Sequence, residues 1–105
     1  FIYSKDLAYL IMFVLENYCE KESIILSVNE SDEISIRDVA YLIAKEFNYE
    51  DMIEFDSSFS DGQYKKTANN IKLMNLYPDF KFTSIQEGIK KSVTWFIKNY
   101  EICRL

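Results

Sequence analysis

The chain has 105 residues, of which 49% are hydrophobic and 16% aromatic, and it carries a formal net charge of −5. This length fits one small domain, and the apolar content is enough for a core, which argues against disorder. The acidic balance, without a basic tail, argues against nonspecific nucleic-acid binding, and the longest apolar run, residues 7–15, is too short to span a bilayer.

The chain contains few residues of the kinds that most often bind zinc or form disulfides. It contains no histidine, and its two cysteines, Cys19 and Cys103, lie far apart in the sequence. This arrangement fits neither a zinc motif nor a disulfide framework, so we expect no metal site. Unpaired cysteines of this kind favour a reduced compartment, and we expect a cytoplasmic location.

The first predicted element is a helix. The opening Phe-Ile-Tyr reads as the end of a strand that enters this helix, so we expect the chain to be a piece of a longer protein. Ser4 or Asp6 is predicted as the N-cap, and the helix is expected to run to about Tyr18. Its apolar spacing predicts a single buried face of Leu7, Leu10, Ile11, Val14, Leu15 and Tyr18.

A strand and a second helix are predicted next. Residues 24–28 form a continuous apolar run of the kind found in a buried strand. Ser35 followed by Asp38 resembles a capping box and predicts the start of a second helix. Asn48 is placed to end this helix in a left-handed conformation. Its predicted apolar stripe consists of Val39, Leu42, Ile43 and Phe47.

The C-terminal half continues the mixed pattern. Residues 52–55 are predicted as a second strand, 69–76 as a short helix and 80–82 as an extended piece. Thr83, with Gln86 three residues later, predicts the cap of a last helix. The stripe of that helix is Ile85, Ile89, Val93, Phe96 and Tyr100, widened by Trp95 and Ile97. The predicted fold class is α/β, with too few strands for a self-sufficient sheet, so we expect a larger partner domain.

The loop at residues 56–67 is the most informative stretch of the sequence. It holds Gly62, one of only two glycines, and it ends in the adjacent pair Lys65 and Lys66. These lysines are placed to offer positive charge to an anionic group such as a phosphate. The alternative is that they are ordinary solvated lysines on a surface loop. Gly62 would permit a tight turn, and Asp61 would hold it through a side-chain bond to the backbone.

Several motifs together resemble a known superfamily. Residues 1–8 are similar to the passage that follows the core of extended short-chain dehydrogenases. Residues 25–30, followed by 34–40, resemble a further motif of the same superfamily. The loop at 55–67, with Asp-Gly and then Lys-Lys, narrows this resemblance to the GDP-L-fucose synthase family. Its animal-type C-terminal end is matched by two stretches, residues 77–83 and 95–100.

The resemblance implies a mixed helix-strand, C-terminal substrate-binding segment at residues 1–105, without the N-terminal Rossmann domain. Enzymes of this family bind NADP(H) and convert GDP-4-keto-6-deoxymannose to GDP-L-fucose by 3,5-epimerisation and 4-reduction. Their catalytic Ser, Tyr-x-x-x-Lys, Cys and His belong to the part that this chain does not contain. We therefore expect no catalytic, cofactor-binding or metal residue here, no nucleic-acid or membrane partner, and a homodimeric full enzyme.

The resemblance also assigns roles within the loop. Lys66 takes the place of the family lysine that contacts the GDP moiety. Lys65 matches a position usually occupied by Arg or Lys, and it would either assist Lys66 or face solvent. Gly62 and Asp61 would form the turn that aims these lysines. Tyr41 and Lys45 share the Tyr-x-x-x-Lys spacing, but no strand with a catalytic serine precedes them, so we interpret them as ordinary helical residues.

Two further hypotheses remain at this point. The chain could be the substrate domain of another nucleotide-sugar epimerase or dehydratase. It could also be a free-standing protein-interaction module that lacks catalysis. The first differs in the nucleotide it binds, and the second requires a stable fold of the isolated chain.

Overall fold

The computed structural model describes residues 1–58 and 68–103. These residues form four α-helices, connected by irregular segments and by short 3-10 turns. The helices are α1 (Ser4–Asn17), α2 (Ile36–Glu46), α3 (Ile71–Leu76) and α4 (Ile85–Lys98), and the 3-10 turns are Glu30–Asp32, Glu50–Met52 and Tyr100–Ile102.

The predicted strands are wrong, and with them the mixed helix-strand character of the α/β fold class. Residues 1–3 and 24–28 have no regular structure, and Met52 closes a 3-10 turn instead of opening a strand. An extended segment becomes a strand only when a neighbouring strand takes up its backbone hydrogen bonds. The two described stretches contain no strand, so the apolar runs stay irregular in spite of their β-like composition.

The described residues divide into two compact units. The first comprises residues 1–33 and 68–83, with Leu10 and Leu73 as its fully buried side chains. The second comprises residues 34–58 and 84–103, in which α2 and α4 pack together around Ala44, Ile89 and Val93. That residues 1–105 act as one substrate-binding domain stays a prediction.

In the first unit, α1 starts without the predicted cap. Neither Ser4 nor Asp6 caps it; Tyr3 occupies the cap position and makes no side-chain bond to the helix. Asp6 lies in the first turn, where its carboxylate accepts hydrogen bonds from Thr83. Its oxygens are therefore engaged by a residue distant in sequence and are not available to the amides of the helix.

A row of aromatic rings joins α1 to the segment after α3. The ring of Phe13 stacks on that of Tyr77 at 4.1 Å between centroids, and Tyr77 lies 5.3 Å from Phe80. Phe80 in turn makes an edge-to-face contact with Phe82 at 4.9 Å. Such pairs stabilise by about 0.5–1.5 kcal/mol each beyond their buried area, so this row holds the irregular residues 77–82 in place.

In the second unit, the local signals of α2 are confirmed. Ser35 is its N-cap: its hydroxyl oxygen accepts from the backbone N–H of Asp38 at 3.0 Å, and its O–H group donates to the Asp38 carboxylate at 2.6 Å. Asn48 follows the helix with φ of 55°, in the left-handed region that asparagine tolerates well.

The cap of α4 lies one residue later than predicted. Ser84, not Thr83, is the N-cap, and its hydroxyl oxygen accepts from the backbone N–H of Glu87 at 3.3 Å. The hydroxyl of Thr83 is bonded to Asp6, which leaves the adjacent serine to cap the helix. Glu87 takes the N3 position that Gln86 was predicted to hold, and it pairs with Lys91 at 2.7 Å.

Candidate functional site

The loop chosen from the sequence lies outside the described residues for most of its length. Asp61, Gly62, Lys65 and Lys66 all fall between residues 58 and 68, so the assignments made for them stay predictions. What the structure does describe is each end of the loop, one in the second unit and one in the first.

The N-terminal end of the loop is held by a carboxylate. Asp56 Oδ1 accepts from the backbone N–H of Ser58 at 2.9 Å, which is the local turn that aspartate commonly makes. The hydrogen bonds from the Ser58 side chain and backbone lower the pKa of Asp56 below its ordinary value. The negative charge of Asp56 is therefore directed at its own backbone.

An exposed cation and two exposed rings meet just before this turn. The guanidinium of Arg37 lies 4.7 Å above the ring of Phe55, and Tyr41 packs against the same ring at 5.6 Å. Contact with Arg37 and Tyr41 of α2 thus fixes the position of Phe55. Arg37 lies in residues 34–40, one of the motifs that resemble the superfamily, but no signal in the sequence predicted its stacking on Phe55. Tyr41 contributes its ring to this packing, and its interpretation as an ordinary helical residue stays a prediction.

The C-terminal end of the loop is anchored by partly buried polar contacts in the first unit. The backbone N–H of Ala68 donates to Glu33 Oε1 at 3.1 Å. Asn70 is only 6% exposed, and its Nδ2 donates to the carbonyl oxygen of Ser27 at 2.9 Å and to Asn29 Oδ1 at 3.2 Å. Sequence reasoning missed Glu33 and Asn70; the only available signal was a polar pair, Asn69-Asn70, at the start of a helix.

The carbonyl oxygen that accepts the hydrogen bond from Asn70 belongs to residues 24–28, which were predicted as a strand. Since the carbonyl of Ser27 has no neighbouring strand among the described residues, the Asn70 amide supplies the hydrogen bond that a strand would give. The Ser27 hydroxyl oxygen is buried and has no hydrogen-bond partner within the described ranges.

Lys72 is a cation of the first unit that the structure assigns to a structural role. Its ammonium group lies 3.0 Å from Glu20 Oε2 and 3.1 Å from Glu22 Oε2, and 5.0 Å from the centre of the Tyr18 ring. Bonding to the Tyr18 oxygen and to both carboxylates raises the pKa of Lys72, and the bond from Lys72 lowers the pKa of Glu20. This lysine is already neutralised by two acids and is a poor candidate for binding phosphate.

Within residues 1–58 and 68–103, no three or more His, Cys, Asp or Glu side chains come together in a way that could hold a metal ion. In the same part of the chain, no helix is both long and apolar enough to cross a membrane.

Comparison with known proteins shows which proteins the chain is similar to. No protein-family model matches the chain. It is 55% identical to the GDP-L-fucose synthase of Dictyostelium discoideum and 49% identical to a probable GDP-L-fucose synthase of Drosophila melanogaster. Each match covers 99% of this chain and 32% of the relative. The chain is thus similar over nearly its whole length to proteins of this name, and it spans about a third of their length.

Solved structures point to the same proteins. A crystal structure of a GDP-L-fucose synthetase from Naegleria fowleri superposes with a TM-score of 0.92 at 42% identity, over 100% of this chain and 32% of that one. A second crystal structure from that organism, bound to NADP, has a TM-score of 0.80 at 35% identity, over 100% of this chain and 28% of the other. The chain is homologous to the C-terminal segment of GDP-L-fucose synthases. The resemblance seen in its motifs is confirmed.

Proposed function

We propose that this chain is the sugar-nucleotide-binding part of a GDP-L-fucose synthase. The observation that carries the proposal is the similarity along the whole chain, at 55% identity to one such enzyme and with a TM-score of 0.92 to another. Conversion of GDP-4-keto-6-deoxymannose to GDP-L-fucose, by 3,5-epimerisation and NADPH-dependent 4-reduction, would take place in the complete enzyme. A different nucleotide-sugar epimerase and a free-standing interaction module are not favoured, because the relatives are GDP-L-fucose synthases.

In this proposal Lys66 is the principal ligand-binding residue. Its ammonium group would complement the diphosphate of the substrate, with Lys65 as a helper and with Gly62 and Asp61 forming the turn between them and the start of the loop. A charge-assisted hydrogen bond of this kind contributes about 1.5–3 kcal/mol to binding.

The acidic net charge of the chain means that an anionic ligand needs positively charged side chains close to its binding site. The chain carries a net charge of −5, so an anionic diphosphate approaches an unfavourable overall field. Lys72, in contrast, is neutralised by Glu20 and Glu22. An adjacent pair of lysines on a polar loop is the simplest source of positive charge for the ligand.

The described ends of the loop support the proposal in a second way. Asp56 fixes the residues that enter it, and Glu33 and Asn70 fix those that leave it. Ligand-binding loops act best when rigid elements hold their ends, because less entropy is lost on binding.

The same proposal assigns cofactor binding and catalysis to the part of the enzyme that this chain does not span. The remaining two thirds would hold NADP(H) and the catalytic groups, in line with the NADP present in one Naegleria fowleri structure. We propose a homodimeric, cytoplasmic enzyme that requires neither a metal ion nor a nucleic acid.

Calorimetry on a chimera tests the proposal. Residues 1–105 would replace the corresponding third of the Dictyostelium enzyme, and GDP would be titrated into the protein. We expect Lys66→Ala to weaken GDP binding roughly 10- to 100-fold, as the loss of one charge-assisted bond implies. Lys45→Ala, which removes a lysine of α2, serves as the matched control and should bind as the parent does. UDP would be titrated into the unsubstituted chimera in the same way, and equal affinity for GDP and UDP would contradict the assignment of the nucleotide. Unchanged GDP binding by Lys66→Ala would show that this lysine is not part of the site.

A further inference from the structure

Helix α1 is apolar around its whole circumference. Residues 7–15 read Leu-Ala-Tyr-Leu-Ile-Met-Phe-Val-Leu and contain no charged side chain. The charged residues of the helix, Lys5, Asp6 and Glu16, are confined to its ends. A helix of this composition is typical of an interior position, with protein on every side.

One side of α1 is used inside the first unit. Leu10 is fully buried there, and Phe13 stacks on Tyr77 at 4.1 Å. This side accounts for the core of the unit, but it leaves the rest of the apolar surface of the helix without cover from the described residues.

The opposite side is an exposed apolar stripe, which we call the Ile11 face: Ala8, Ile11, Met12 and Leu15. Their spacing places them on one face of the helix, and Ile11, Met12 and Leu15 are 45%, 56% and 74% exposed. The prediction that Ile11 and Leu15 belong to the same buried side as Leu10 is wrong for the described residues. At 1.5 Å per residue the stripe is about 10 Å long.

The other long helices do not share this property. Ile36 of α2 is 78% exposed, but Arg37 and Asp38 follow it directly. Trp95 of α4 is also exposed, and that helix carries Lys90 and Lys91 among its outer residues. Both helices therefore have the polar face of a surface helix, and isolated apolar residues on such a face are ordinary. Only α1, among the helices described, has a run of nine residues without a charged side chain, at positions 7–15.

We propose that the Ile11 face packs against the nucleotide-binding part of the same polypeptide, the two thirds of GDP-L-fucose synthase that this chain does not span. The match covers 32% of each relative, so under the proposed function the rest of such an enzyme is available to bury the stripe. The stripe offers no charge and no hydrogen-bonding side chain, so the surface opposite must be apolar as well. The identity of the partner rests on the proposed function, but the contact does not depend on sugar-nucleotide binding.

Photo-crosslinking in the chimera tests the contact. p-Benzoylphenylalanine, an apolar residue that the face should tolerate, would be placed at position 15, and at position 36 as the matched control. We expect illumination to join position 15 to residues of the Dictyostelium portion within one molecule, and position 36 to give no crosslink to that portion. Crosslinks from position 15 to a second copy, or none to protein, would overturn the proposal.

Thermal unfolding of charged variants gives a second measurement. Leu15→Lys should lower the Tm of the chimera by roughly 5–10 °C, the shift expected when an unpaired charge is buried in a large protein, whereas Ile36→Lys should leave it nearly unchanged. Equal shifts for the two variants would contradict a buried Ile11 face. Neither readout involves GDP, so Lys66 can fail as a ligand residue while this contact stands. A chimera that aggregates although the Dictyostelium parent folds also counts against the proposal.

Discussion

The carboxylate of Asp6 accepts two hydrogen bonds from Thr83, one from the backbone N–H at 2.6 Å and one from the hydroxyl at 2.9 Å. The two residues are 77 positions apart, and Asp6 is only 7% exposed. This contact joins the first turn of α1 to the last residue of the first unit, and it takes Thr83 out of the capping role that its sequence position favours.

Removing the carboxylate should destabilise the protein measurably. Asp6→Ala leaves the N–H and hydroxyl of Thr83 without their acceptor in a partly buried place, at a cost of about 2–3 kcal/mol. Thr83→Val removes only the hydroxyl bond and should cost about 1 kcal/mol. Urea unfolding of the chimera measures both changes, with Lys5→Ala on the exposed side of the same turn as control. Full additivity of the two substitutions would show that the residues do not interact.

A separate prediction concerns Ser84, the residue that caps α4. Ser84→Ala should cost about 1 kcal/mol, because it deletes the acceptor for the Glu87 N–H. The effect should persist in an Asp6→Ala background, whereas that of Thr83→Val should shrink there. Ser92→Ala, within the same helix, is the control, and circular dichroism during urea unfolding is the measurement. If Thr83 were the cap, its substitution would keep its full effect without Asp6.

Asn70 should be sensitive to the chemistry of its side chain rather than to its size. Its Nδ2 donates to two oxygens, so Asn70→Ala loses both bonds in a buried place and should cost about 1–3 kcal/mol. Asn70→Asp should be worse, because it turns a donor into a carboxylate facing the Ser27 carbonyl oxygen. Thermal unfolding of the chimera gives the ranking, and Asn75→Ala, on the exposed side of α3, is the control. If the Asn70→Asp protein were as stable as the parent, these contacts would be contradicted.

The ion pairs of Lys72 predict how stability depends on pH. The pKa of Glu20 is lowered by folding, so its stabilising contribution is complete above the ordinary value of 4.5 and is lost as the pH falls through the lower folded value. The pKa of Lys72 is raised, so its contribution is complete below the ordinary value of 10.5 and is lost as the pH rises through the higher folded value. The stability difference between the parent and Lys72→Met should therefore be largest at neutral pH and smaller at both extremes.

Salt provides the control for that experiment. The side chains of Lys72 and Glu20 are both partly or largely exposed, so the difference should be small and should fall further as the ionic strength rises. Unfolding by urea across a pH series, at low and high salt, gives the measurement. A difference that is independent of both pH and salt would show that Lys72 acts by packing on Tyr18 alone.

Local chemistry explains what the sequence by itself determined. The cap at Ser35 and the left-handed end at Asn48 depend on atoms within three or four residues, and the structure confirms both. Helical spacing likewise predicted α2 and α4, and Ile89 and Val93 as buried positions of α4. It did not predict Ala44 as the buried residue of α2, where Ile43 and Phe47 of the predicted stripe are exposed. The family resemblance was also readable, because its motifs are short stretches of defined residues, and the comparisons confirm it.

Contacts between residues distant in sequence determined the features that local patterns did not predict. Asp6 binds Thr83 instead of capping α1, and Asn70 supplies the hydrogen bond that residues 24–28 would need a neighbouring strand to obtain. The sequence could not distinguish the side of α1 that holds Leu10 from the side that holds Leu15, because both are apolar. Spacing predicts which residues share a face, but only the neighbours that bury a face determine which one lies inside.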